Sequence, residues 1–113
     1  SSAILHQAIR EKKQVIASYD GYRREFCPHI LGYKDNELRV LAYQFGGASS
    51  KGHVHGEWKC FVVANLSKIT LREGKWHTDP SHSHSRPQQC IETVTAQVSL
   101  EAFLPFTHPK IHS

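Results

Sequence analysis

The stretch QVIASYDGYRREFCPHILGYKDNELRVLAYQ, residues 14–44, decides the fold. Its side chains alternate with a period of two. Val15, Ala17 and Tyr19 fall on one side, and Gln14, Ile16 and Ser18 on the other, which is the pattern of a half-buried strand. Asp20-Gly21 follows and is a tight-turn signal between two such runs. The second run, Tyr22 to Tyr33, sets Arg24, Phe26 and Pro28 against Arg23, Glu25 and Cys27. Pro28 marks an edge, a bulge or a strand end, because it donates no ladder hydrogen bond. Lys34-Asp35-Asn36 turns the chain again. Glu37 to Gln44 forms a third strand, rich in Leu38, Val40, Leu41 and Tyr43.

Upstream, residues 2–13 read as a short amphipathic helix. Ile4 and Ala8, and Leu5 and Ile9, are spaced four apart and share one face. Arg10, Lys12 and Lys13 place cations near its C-terminus, where the helix dipole favours them. Downstream, residues 45–57 are rich in Gly, Ser and His and read as a long connection. Trp58 to Val63 and Lys68 to Arg72 resume as strands, and Glu73-Gly74 turns the chain into Lys75-Trp76-His77. Residues 78–89 are polar and read as a loop. Alternation over residues 89–100 predicts an extra strand. The expected organisation is therefore one domain over residues 1–104 (helix 2–13, core strands 14–77, extra strand 89–100) and a C-terminal tail over residues 105–113. One helix followed by five or six short strands predicts a mainly β fold, a small, strongly bent antiparallel barrel that hides its edges.

The 113 residues suit one domain, and an apolar fraction of 39% fills a modest core. No run approaches the ~20 apolar residues of a membrane-spanning helix, so no membrane contact is expected. The formal charge is +4. Basic side chains are spread evenly, with no basic arm, so charge permits nucleic-acid binding without demanding it. The chain opens Ser1-Ser2-Ala3 and has no methionine; it reads as a processed protein or a piece of a longer polypeptide. Cys27, Cys60 and Cys90 are odd in number and widely spaced. They do not read as a disulfide framework, and a reducing, cytoplasmic setting is expected.

Several constellations carry chemistry. His53 and His55, and His82 and His84, form His-x-His pairs, yet no standard zinc spacing is present. They read as solvated loop histidines; a metal site built from His53, His55 and cysteines is the alternative. Gly46-Gly47-Ala48-Ser49-Ser50-Lys51-Gly52 superficially resembles a phosphate loop. It lacks the Lys and the following helix that the P-loop needs, so a flexible connection is expected. No nucleophile sits on a strained turn or at a helix start, so no enzyme activity and no cofactor are expected. Cations beside rings on strands are the remaining signal. Arg24 shares a face with Phe26, and Lys59 with Phe61, as in surfaces that pair with phosphate and stack bases.

The order of these motifs (the helix, VIASY, Arg24-x-Phe26-x-Pro28, LRVLAYQ at 38–44 and WKCFVVANLSKITL at 58–71) resembles the WYL domain, a module of bacterial transcriptional regulators. The resemblance covers about residues 3–77. The family's name triplet falls on Arg39-Val40-Leu41, of which the Leu is kept. Its Arg-x-Phe followed by Arg-Ile falls on Lys59-Cys60-Phe61 and Asn65-Leu66, so basic character is kept at Lys59 and lost at Asn65. The cluster Cys27-Pro28-His29, the Gln44-Phe45-Gly46-Gly47 turn and Trp58 mark a divergent subgroup. The resemblance implies an Sm-like barrel of the Src-homology-3 type with about five strands. It implies a regulatory domain that senses an anionic ligand, such as single-stranded nucleic acid or a nucleotide. It also implies an attached DNA-binding domain outside this chain. Carried over by position, the ligand-binding residues are Tyr19, Arg24, Arg39, Tyr43 and Lys59, with Trp58 as a further stacking ring. A homodimer is expected, and a protein-interaction domain without a small ligand is the other reading, since small barrels expose pairing edges.

Overall fold

Turn chemistry organises the first half of the chain. The computed structural model describes residues 2–79 and 90–98. β1 (Gln14–Tyr19) and β2 (Tyr22–Lys34) form a hairpin in which Tyr19 lies opposite Tyr22. Asp20 and Gly21 at its tip both have positive φ, 53° and 81°. That is the geometry whose twist matches paired strands. Asp35 and Asn36, at φ 54° and 64°, make the equivalent turn into β3 (Glu37–Ser49).

α1 (Ser2–Glu11) precedes the sheet and buries Leu5, Ala8 and Ile9, the expected face. It stops two residues earlier than the charge pattern suggested, because Lys12 turns left-handed at φ 54° and the Lys13 N–H donates back to the Ala8 carbonyl at 2.9 Å. The helix lies against β2, β6 and β7. Phe26, Val40, Leu41 and Phe61 meet it in one core, each almost fully buried. Full burial of such a side chain stabilises by roughly 1.5–3 kcal/mol.

β3 is longer than the sequence suggested. Instead of a connection from residue 45, it runs to Ser49, turns at Ser50-Lys51 and returns as β4 (Gly52–His53). The Gly-rich stretch is strand because it has a partner: Gly46 and Gly47 lie opposite Glu25 and Arg24. Phe45 is bulged out between paired Gln44 and Gly46. Pro28 sits at a second bulge, where the register shifts between Pro28 and Ile30.

β5 (Glu57–Val62) pairs with β3, a 3-10 turn follows at Val63–Asn65, and β6 (Ser67–Arg72) pairs with β1. β7 (Thr93–Gln97) lies on β2 along Ile30 to Tyr33. All ladders are antiparallel. The architecture is thus mainly β with one N-terminal helix, as expected. A five-stranded closed barrel is not what the strands form, however. The sheet is open and has seven strands, and among the described residues no ladder joins β5 to β6. The physical reason is strand length. β2 and β3 have 13 residues each, so each has room for two partners on its outer edge: β1 and β7 on β2, β5 and β4 on β3.

Cysteine use also differs from expectation. Cys60 of β5 and Cys90 form a disulfide that ties β5 to the segment leading into β7. The remaining thiol, Cys27, is buried. Spacing along the chain hid this pair because the fold, not the sequence, brings the two cysteines together. Among the described residues no helix is long and apolar enough to cross a membrane. The expected loop at 78–89, the ends of the 89–100 strand and the tail at 105–113 lie wholly or partly outside the described residues.

Candidate anion-binding site

The β1–β2 hairpin places Arg24 opposite Ala17, with its side chain on the face that also carries Phe26. Arg24 is 5% exposed. Its Nε and Nη2 donate to the Tyr19 carbonyl at 3.3 and 3.1 Å, and its Nη1 donates to Gln44 Oε1 at 3.3 Å. The guanidinium carbon lies 5.4 Å from the Tyr19 ring centre, 5.7 Å from Tyr22 and 5.6 Å from Phe61. These are cation–π distances. Among the described residues no carboxylate pairs with Arg24; the ion pairs of the fold involve other cations.

This is an expensive arrangement. Taking an unpaired cation out of water costs several kcal/mol even after relaxation. The guanidinium has five N–H donors, and the three hydrogen bonds above leave two. A cavity of about 230 Å³ opens beside it. Tyr22, Lys51 and Lys59 line that cavity, together with Ser49, Ser50 and Phe61. Asp20 is the carboxylate on its wall. Lys59 comes from β5, on the same strand face as Phe61, and its Nζ lies 2.8 Å from Glu57. That hydrogen bond from Lys59 holds the Glu57 carboxyl below its ordinary value.

Tyr19 is fixed from two sides. Its hydroxyl accepts the Val62 N–H at 3.1 Å, and its ring meets Phe61 edge-on at 4.7 Å. It therefore shapes the wall, while Tyr22, at 36% exposure, is the ring open to a stacked partner.

Of the six residues expected to bind ligand, the fold gathers Tyr19, Arg24 and Lys59. Arg39, Tyr43 and Trp58 lie on the opposite face. The reason is strand alternation: Trp58 and Lys59 are consecutive in β5, so they point to opposite sides. Tyr43 is paired with Trp58, and Arg39 is four residues before Tyr43. Arg39 is ion-paired with Glu37 at 2.9 Å, as Lys59 is with Glu57, so the strand face and not the pairing separates the two. Tyr43 and Trp58 belong to an aromatic cluster: they meet edge-on with ring centres 5.2 Å apart, Trp58 meets buried His29 edge-on at 4.6 Å, and His29 lies tilted against Trp76 at 4.8 Å. Burial, and then Asp79, raise the Tyr43 phenol.

Sequence reasoning missed Tyr22, Gln44 and Lys51. The signal for Tyr22 was present, since it is two residues before Arg24 on one strand. Lys51 lay in a stretch read as a connection, and only the β3–β4 hairpin brings it to the cavity. For the metal alternative, His53 and His55 rings are 6.1 Å apart, and Cys60 is held in the disulfide. Among the described residues no three His, Cys, Asp or Glu side chains cluster around a common point. His82 and His84 lie outside the described residues. No family model, curated protein or solved structure matches this chain.

Proposed function

We propose that this chain is a regulatory ligand-binding module that recognises the phosphate and base of a nucleotide or single-stranded nucleic acid. The observation that carries the reading is the buried, uncompensated Arg24 guanidinium beside a cavity walled by Lys51 and Lys59. A phosphate there completes the charge balance that the fold leaves open. Each hydrogen bond to a charged group contributes about 1.5–3 kcal/mol. A base stacked on Tyr22 adds roughly 1–3 kcal/mol. The cavity is smaller than the ~300–1,000 Å³ of a drug-sized site. It therefore takes one phosphate and its sugar edge, and the base lies over the rim.

The sheet order supports the WYL-like reading of the sequence. With β4 and β7 set aside, the strands run β5-β3-β2-β1-β6, and the end strands are linked by the 3-10 turn. That is the order of an Sm-like barrel parted between its last two strands. In this reading the chain is the sensing part of a bacterial transcriptional regulator, and a separate DNA-binding domain delivers the output.

The test is fluorescence anisotropy with a labelled decathymidylate at 50 and 200 mM salt. Affinity falls with salt, because phosphate pairing releases counterions. Lys51→Ala, on an exposed tip, weakens binding and lowers the salt slope by about one unit for each phosphate left without its cation. Binding that ignores salt, or that survives Arg24→Ala combined with Lys59→Ala, refutes the reading. Self-association is a second reading with one observation in its favour: β6 ends the sheet and pairs only with β1 among the described residues. A stable dimer on sizing chromatography that binds no anion would favour it.

A further inference from the structure

Gln44 is a buried polar side chain that accepts a hydrogen bond from Arg24. It is 0% exposed. Its Nε2 donates to two carbonyls, Gly46 at 2.9 Å and Ala48 at 3.3 Å. Carbonyls only accept, so they fix the amide nitrogen on their side and turn Oε1 toward Arg24 Nη1. Those two carbonyls lie just beyond the Phe45 bulge and lead into the hairpin tip that carries Lys51. One amide therefore spans the two cationic walls of the cavity.

We propose that Gln44 is a positioning residue that sets the charge selectivity of this site. It aims the Arg24 guanidinium at the cavity while leaving the positive charge uncompensated for an incoming phosphate. The inference rests on the anion-binding reading above and adds the reason the core holds an amide here. A carboxylate would hold Arg24 equally well in geometry, but it would neutralise the charge from the buried side. It would also face the Gly46 and Ala48 carbonyls with no proton to donate. A methionine would fill the space but would remove the Nη1 hydrogen bond, leaving the guanidinium held only by the Tyr19 carbonyl. The other titratable or charged groups on the cavity are Tyr19, Asp20, Tyr22, Lys51 and Lys59, and both variants below leave them in place.

The experiment compares wild type, Gln44→Met and Gln44→Glu in two readouts. The first is the Arg24 N–H signals in nitrogen-15 NMR of the free protein. The second is decathymidylate anisotropy at pH 8. In wild type the Arg24 N–H signals are resolved and exchange slowly. Gln44→Met shifts and broadens the Nη1 signals, leaves the Nε–H held by the Tyr19 carbonyl, and weakens binding about tenfold, the loss of one hydrogen bond to a charged group. Gln44→Glu weakens binding further at pH 8, roughly a hundredfold for an added internal charge pair. A merely structural role weakens binding equally in both variants. Gln44→Glu binding as wild type at pH 8, or Arg24 signals unchanged in Gln44→Met, overturns the proposal. If Gln44→Glu does not fold, Gln44→Met alone decides it. Wild type that binds no oligonucleotide refutes the anion-binding reading, and the NMR signals still decide whether Gln44 positions Arg24.

Discussion

Opening the Cys60–Cys90 disulfide is a quantitative test of how β7 is attached. The two cysteines are 30 residues apart in sequence. Closing a loop of that length removes about 12 cal/mol/K from the unfolded chain, or ~3.6 kcal/mol at 25 °C. The folded state has little to lose in exchange. β7 keeps its ladder to β2, the Glu92 N–H still donates to the Tyr33 carbonyl at 2.8 Å, and the Val98 N–H to the His29 carbonyl at 2.9 Å. Ile91 and Val98 stay buried. The variant to make is Cys60→Ser with Cys90→Ala: Cys60 is exposed, whereas Cys90 is 3% exposed and a hydroxyl there would be buried. With a urea slope of ~2 kcal/mol/M, the unfolding midpoint falls by ~1.8 M. The slope rises somewhat even with the native state unchanged, because the unfolded chain without the crosslink is less compact. A midpoint shift below ~0.5 M would refute the loop-closure reasoning. So would loss of β7 amide protection in the variant without denaturant, because it would mean that the crosslink alone holds the strand down.

Three further outcomes follow from the same packing. Burial alone would raise the Glu25 carboxyl, but hydrogen bonds from Arg72 at 3.0 Å and Arg23 at 3.2 Å outweigh it and hold the group below its ordinary value of 4.5. A lowered folded value means that this stability is present above 4.5 and is lost as pH falls through the folded value. Glu25→Gln should therefore flatten the acid limb of a stability-versus-pH curve, and an unchanged limb would count against the pairing. The Cys27 thiol is pushed up to about 12, chiefly by burial. At pH 8 the native protein should give no reaction with a thiol reagent, and one thiol should react in denaturant. Gly47 has φ 83°, and a Cβ there would run into the Arg23 carbonyl. Gly47→Ala should cost ~1–3 kcal/mol in thermal or urea unfolding, and a neutral result would contradict the bulge geometry.

Local chemistry made much of the fold legible. Asp20-Gly21 and Asp35-Asn36 adopt positive φ with little strain, so both turns could be read from residue type alone. Leu5, Ala8 and Ile9 announced the helix face by spacing. What the sequence did not show depends on partners. Gly46 and Gly47 are poor strand formers, and they lie in β3 because β2 extends beside them. Cys60 and Cys90 are 30 residues apart in sequence, and only the folded chain brings them together. At the site, Arg24 and Lys59 were legible as cations sharing strand faces with Phe26 and Phe61. Trp58 was grouped with Lys59 by nearness in sequence, although neighbours in a strand face apart. Gln44 carried no signal, because its role comes from one hydrogen bond across the sheet to Arg24 and two back to its own strand.

The central claim is that Arg24 is a buried cation held open for a phosphate. The most direct measurement is a crystal structure with a 5′-phosphorylated dinucleotide. The account predicts phosphate oxygens within hydrogen-bond distance of Arg24 and Lys59, with a base against Tyr22. A dinucleotide bound instead on the Arg39–Trp58 face, with the Arg24 cavity holding no phosphate, would contradict it.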